Sequence, residues 1–210
     1  MIIDHTSPYY QRPKHAGRHN GAYYYSVEIV ENIIPKISTD RSWLTINAVD
    51  APVPNGAIVF IHNNKYPMIY DWLKNKKDLI LVCGIPETCE KIKHLGTPIY
   101  LPLSIDVEYV KQFRAKKTRD VCYAGRASKK MNIPEGTDLI QGVSRQELLE
   151  RMARYRSVYA VGRTALEAKV LQCKILPYDD RFPDVKRWQV IDNSEAADML
   201  QLELNKIDNG

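Results

Sequence analysis

The sequence predicts an α/β fold: parallel sheets with helices on both faces. Three observations carry this. Short, nearly continuous apolar runs at residues 57–62 and 79–83 have the pattern of strands buried on both sides. Segments with helical spacing alternate with them, at residues 66–73 and 86–94. The alternation breaks near residue 106 and restarts near residue 120, dividing the 210 residues into two halves of similar size.

In order along the chain, residues 5–21 mix histidines, cations, prolines and glycines, a loop composition. Tyr23, Val27, Val30 and Ile34 then recur at helical spacing, and Pro35 marks the end of that helix. Only one of Tyr23, Tyr24 and Tyr25 can face a core at that spacing. Strands follow at 43–49 and 57–62, separated by a turn-rich stretch at 50–56. A helix at 66–73, a strand at 79–83, a helix at 86–94 and a strand at 98–103 complete a first domain over residues 1–105.

Residues 106–119 hold a short helix and the charged run Arg114-Ala115-Lys116-Lys117-Thr118-Arg119, and are expected to form a linker. The second domain, residues 120–210, repeats the alternation. Strands are predicted at 120–124, 139–143, 158–161 and 175–178, and helices at 146–155, 163–172 and 194–206. Two such halves with a crevice between them are the simplest architecture.

Composition narrows the classes. Apolar residues make up 44% and charged residues 26%, which is ordinary for a folded globular chain. The net charge of +5 suits phosphate-bearing ligands without being a nucleic-acid signature. No apolar run approaches the roughly 20 residues of a membrane span, and no basic-then-apolar leader opens the chain. Cys83, Cys89, Cys122 and Cys173 form no CxxC pair and read as buried free thiols. A cytoplasmic location is expected, with no resident cofactor and no metal site.

The chemistry concentrates at Val161-Gly162-Arg163-Thr164, where a strand turns through a glycine into a helix. A helix start offers unpaired N–H groups and the positive end of the dipole, which favour an anion. Arg163 and Thr164 stand at that start, and Glu167 lies one turn on, at i+4 and i+3 from them. A carboxylate there can accept hydrogen bonds from ribose hydroxyls, so the group suggests a nucleotide or nucleotide-sugar. A plain helix start with a dipole-satisfying Glu is the competing reading.

The second half resembles the donor-binding domain of GT-B glycosyltransferases, through the order of its motifs. Leu101-Pro102-Leu103-Ser104-Ile105-Asp106 is similar to that family's interdomain connector. Val121-Cys122-Tyr123-Ala124-Gly125-Arg126, with Lys129 and Lys130, is similar to its "GR…K" turn, and Ile140-Gln141-Gly142-Val143-Ser144 to its base-side loop. Residues 161–179, with the Glu167-Ala168 pair, resemble the donor-nucleotide signature. Residues 193–197 are similar to the start of the family's closing helix, and Arg18-His19-Asn20-Gly21 to the turn before its first helix.

The resemblance implies two small Rossmann-like domains facing a cleft, and metal-independent transfer of a sugar from a nucleotide-sugar to an acceptor hydroxyl. It assigns Gly125, Arg126, Lys129, Lys130, Val143, Gly162, Arg163, Thr164 and Glu167 to the donor, and leaves His19 or His62 as the base that activates the acceptor. Two departures stand out. The family fold usually needs about twice this length. Many retaining members also carry a second glutamate eight positions before the ribose-binding one, where this chain has Tyr159.

Two rival readings remain. A shrunken relative could hold a nucleotide or sugar without turning it over. A nucleic-acid-directed protein, binding or modifying bases, would use Lys74-Asn75-Lys76-Lys77 and the 114–119 run. Such runs are usually solvated faces, and acidic residues are nearly as numerous as basic ones.

Overall fold

Among the described residues, eight short strands pair into two four-stranded sheets, and every pairing is parallel. The computed structural model describes residues 21–45, 52–61, 66–125 and 133–209. The chain forms two units, one of Ala22–Leu103 with Asn193–Gly210 and the other including Ser104–Asp192.

The first unit opens with α1 (Gly21–Glu28), which runs on through a π-helical turn (Ile29–Ile33) and a 3₁₀ turn (Ile34–Lys36). Its strands are β1 (Trp43–Thr45), β2 (Ile58–Ile61), β3 (Ile80–Cys83) and β4 (Thr97–Tyr100), in spatial order β1-β2-β3-β4. Helices α2 (Tyr66–Leu73) and α3 (Pro86–Ile92) join them. The apolar strands β1, β2 and β3 are buried throughout, as burial on both faces requires.

That consecutive order has a consequence. Right-handed crossovers that always step the same way place α2 and α3 on one face of the sheet. The other face needs its own cover, and the helix α7 (Asn193–Asp208) packs against the 29–36 segment. Polar contacts hold it there. Lys36 Nζ donates to Ser194 Oγ at 2.5 Å, Ser38 N to Gln201 Oε1 at 2.6 Å, Arg41 Nη2 to Asp208 Oδ1 at 2.7 Å, and Asn193 Nδ2 to the buried Glu28 carboxylate. The closing helix, expected inside a domain spanning 120–210, therefore groups with the first unit.

The second unit contains α4 (Val107–Lys111), β5 (Arg119–Ala124), β6 (Asp138–Ile140), α5 (Arg145–Met152), β7 (Tyr155–Tyr159), α6 (Arg163–Val170) and β8 (Lys174–Leu176). Its strand order is β6-β5-β7-β8. The expected linker at 106–119 is a built part of this unit. Asp106 caps α4 by accepting from Tyr109 N at 2.8 Å. Lys117 Nζ donates to Ala153 O at 2.9 Å and Leu171 O at 2.7 Å, closing the carboxyl ends of α5 and α6. Strand β7 begins at Tyr155, three residues before the expected start, because α5 ends at Met152 and Arg119 pairs with Tyr155.

All four cysteines are buried free thiols. Burial pushes the Cys122 thiol up to about 12. Among the described residues, no helix is long and apolar enough to cross a membrane.

Candidate functional site

The strand order of the second unit singles out one edge of its sheet. From β5 the chain steps to β6 on one side, then crosses back past β5 to β7 and on to β8. The loops leaving β5 and β7 therefore diverge, and the carboxyl ends of these two strands flank a topological switch point. Open α/β sheets place ligands in such crevices.

Both loops turn on glycines. Beyond β5, a Cβ on Gly125 would lie 2.7 Å from the Tyr123 hydroxyl, so only a residue without a side chain fits against that buried phenol. Beyond β7, Gly162 has φ 61° and ψ −139°, a combination open essentially to glycine. Gly162 is the N-cap of α6, and its carbonyl accepts from Ala165 N at 3.0 Å and Leu166 N at 3.3 Å.

Helix α6 is sunk into the unit, with seven of its eight residues buried, so its polar side chains must pair internally. Glu167 is fully buried. Its Oε1 accepts from Arg163 Nε at 3.0 Å and from Arg145 Nε at 3.1 Å. Arg145 opens α5 just after the cap Ser144, and its guanidinium stacks 4.9 Å from the ring centroid of Tyr109 on α4. Three helices thus converge on one carboxylate. Glu167 Oε2 has no hydrogen-bond partner among the described residues, nor has Gln141 Nε2, just past β6; both atoms are buried.

The remaining edge is aromatic. Tyr178, after β8, meets Tyr123 edge-on at 5.3 Å and Tyr159 at 6.4 Å. The Tyr123 and Tyr178 hydroxyls are hydrogen-bonded, and burial raises the pKa of both phenols. Asp179 is buried and clasped by Arg181, whose Nε lies 2.8 Å from Oδ1 and Nη2 2.5 Å from Oδ2. It orders its own turn, because Oδ1 also accepts from Arg181 N at 3.1 Å.

Of the residues singled out by sequence, Gly125, Val143, Gly162, Arg163, Thr164 and Glu167 all lie at or just beyond the carboxyl ends of β5, β6 and β7. Arg163 and Glu167 touch. Val143 is half-buried, and Thr164 is buried in the first turn of α6. His19, His62, Arg126, Lys129 and Lys130 lie outside the described residues. Sequence reasoning missed Arg145 and Gln141. An arginine directly after a serine cap, following a strand and a glycine, was the available signal for the first. Tyr159 belongs to the aromatic cluster, meeting the Tyr178 ring.

No family model, curated protein or solved structure matches this chain.

Proposed function

We propose that the second unit binds a nucleotide-sugar at the carboxyl edge of its sheet, and that the chain is a GT-B-type, metal-independent glycosyltransferase acting on an acceptor hydroxyl. One observation carries the reading: the topological switch between β5 and β7 falls between the two glycine turns that the sequence marks as phosphate-binding.

In this mechanism the diphosphate lies over the amino end of α6, where the helix dipole and the Arg163 guanidinium offset its charge. An incoming anion competes with Glu167 for Arg163 and Arg145. As either guanidinium turns to phosphate, the carboxylate is freed to accept from ribose hydroxyls. Gly125 lets the backbone approach the diphosphate, and Arg126 with Lys129 or Lys130 neutralises charge on the departing nucleotide. His19 or His62 takes the acceptor proton. No metal-binding DxD motif is needed, in keeping with a clamp built from cations.

A holder without turnover is the second reading, favoured by the closure of Glu167 under two guanidiniums and by Tyr159 in place of a glutamate. One experiment separates the two. The full chain is melted with a panel of nucleoside diphosphates and their sugars, and release of free nucleotide is assayed in parallel. Ligand at about a hundred times Kd adds about 2.7 kcal/mol, a rise of roughly 5–10 °C for a chain of this size. The shift should shrink in Glu167→Gln. A shift with nucleotide release supports the transferase, and a shift without release supports the holder. No shift with any nucleotide refutes both.

A further inference from the structure

The opposite edge of the second sheet carries a different surface. Residues 104–192 hold 18 Lys and Arg against 12 Asp and Glu, so this segment accounts for the whole positive excess of the chain. The amino-terminal ends of β5, β7 and β8 share one edge because the strands are parallel. Arg119, Arg156 and Lys174 stand at or next to those ends, with Arg114, Lys116, Arg151 and Arg154 around them. All seven are exposed.

Some of these guanidiniums are held in place. Arg119 Nη1 donates to Tyr155 Oη at 3.0 Å, with Asp138 Oδ2 at 3.4 Å, and stacks 5.6 Å from the Tyr155 ring centroid. Arg156 Nε meets Asp120 Oδ1 at 3.3 Å, and Arg114 Nε donates to Val170 O at 2.8 Å. Fixed guanidinium forks suit phosphate oxygens, which they can bind in bidentate fashion.

A groove of about 570 Å³ opens onto the same edge. One wall is Gln146 and Glu150 of α5 with Arg154 just beyond it, and the other carries Tyr109, Gln112 and Phe113. Tyr109 and Phe113 pack edge to face at 5.2 Å. Arg154 joins groove to edge, since it lines the groove while its carbonyl accepts from the N–H groups of Thr118 and Arg119.

We infer that this groove and the cationic edge form a binding site for single-stranded nucleic acid. The arginines follow the phosphate backbone, an unstacked base rests against Phe113 and Tyr109 in the groove, and the Gln112 amide meets its edge. The groove decides between polyanions. An anionic membrane offers nothing flat or small enough to enter it, and a duplex keeps its bases stacked away. The site meets the proposed donor site only at Tyr109, whose ring carries Arg145, so changes at Phe113 and the exposed cations test it without touching the donor residues.

The test uses the full chain and fluorescein-labelled oligo-uridine and oligo-thymidine of about 15 nucleotides, followed by anisotropy. Contacts to about four phosphates predict that affinity falls roughly 50-fold between about 50 and 200 mM salt. The exposed triple variant K116E/R154E/R156E should bind at least tenfold more weakly. Phe113→Ala should weaken binding while leaving the salt slope unchanged, as loss of a stacking contact requires. Circular dichroism melts confirm that each variant is folded. The proposal is overturned if the triple variant binds as tightly as the parent, if neither oligonucleotide binds at low salt, if a duplex of the same length binds as well as the single strand, or if phosphatidylglycerol vesicles bind and oligonucleotides do not.

Discussion

The two sheets are both four-stranded and parallel, yet they end differently at their carboxyl edges. The first winds in one direction, β1 to β4, and no pair of its neighbouring strands has diverging loops. Its edge at β3 is filled by packing: a Cβ on Gly84 would lie 2.6 Å from Leu103 Cδ2 and 3.8 Å from the Tyr25 hydroxyl. The second reverses direction at β5, and its edge collects Gln141, Arg145, Arg163, Glu167 and Asp179. Beyond β3 the first sheet is packed, whereas the reversed strand order of the second accompanies a polar edge. Strand order decides where chemistry can sit.

Glu167→Ala should break this comparison most sharply. It removes the buried carboxylate that Arg163 and Arg145 share, and breaking a buried ion pair costs about 3–5 kcal/mol. Urea unfolding measures the loss, and a change below about 1 kcal/mol would mean that the two guanidiniums find other partners. Next come the edge glycines. Gly162→Ala forces a residue with a Cβ to φ 61° and should cost about 1–3 kcal/mol while also reducing any nucleotide-induced melting shift. Gly84→Ala should cost about as much, by pushing Leu103, and leave that shift intact. If both glycines affect ligand binding equally, the edges do not differ in the way proposed.

Smaller effects are expected from the caps. Asp106→Ala and Ser144→Ala each remove an acceptor from a helix start in the second unit, at about 1 kcal/mol apiece in denaturant melts. The smallest effect is alkaline. The Cys122 thiol is held protonated up to about 12, against about 9 when exposed, so its contribution is whole below pH 9 and is lost as pH rises towards 12. Cys122→Ala should flatten the fall in melting temperature between those values. An unchanged slope would show that other groups set it.

Much of this fold was legible in the sequence. Runs such as Ile58-Val59-Phe60-Ile61 can only be buried strands, and the helix over Tyr66–Leu73 matches its expected bounds. Periodicity, however, says which side of an element is apolar and not what covers it. Ala196, Ala197, Leu200 and Leu204 form a clear stripe on α7, but nothing local shows that it closes the first unit. Nor does local pattern reveal strand order, which rests on pairings between distant segments. At the candidate site, the Arg163–Glu167 pair was legible as an i,i+4 spacing. Arg145 was not, because it reaches the same carboxylate from 22 residues away through the packing of a second helix.

Because α7 completes the first unit, that unit is discontinuous in the chain while residues 104–192 are not. On the ribosome residues 104–192 can be extruded and folded while the 29–36 segment still lacks the α7 helix that packs against it. Until residues 193–208 have also emerged, the apolar side chains of that segment are a liability for aggregation.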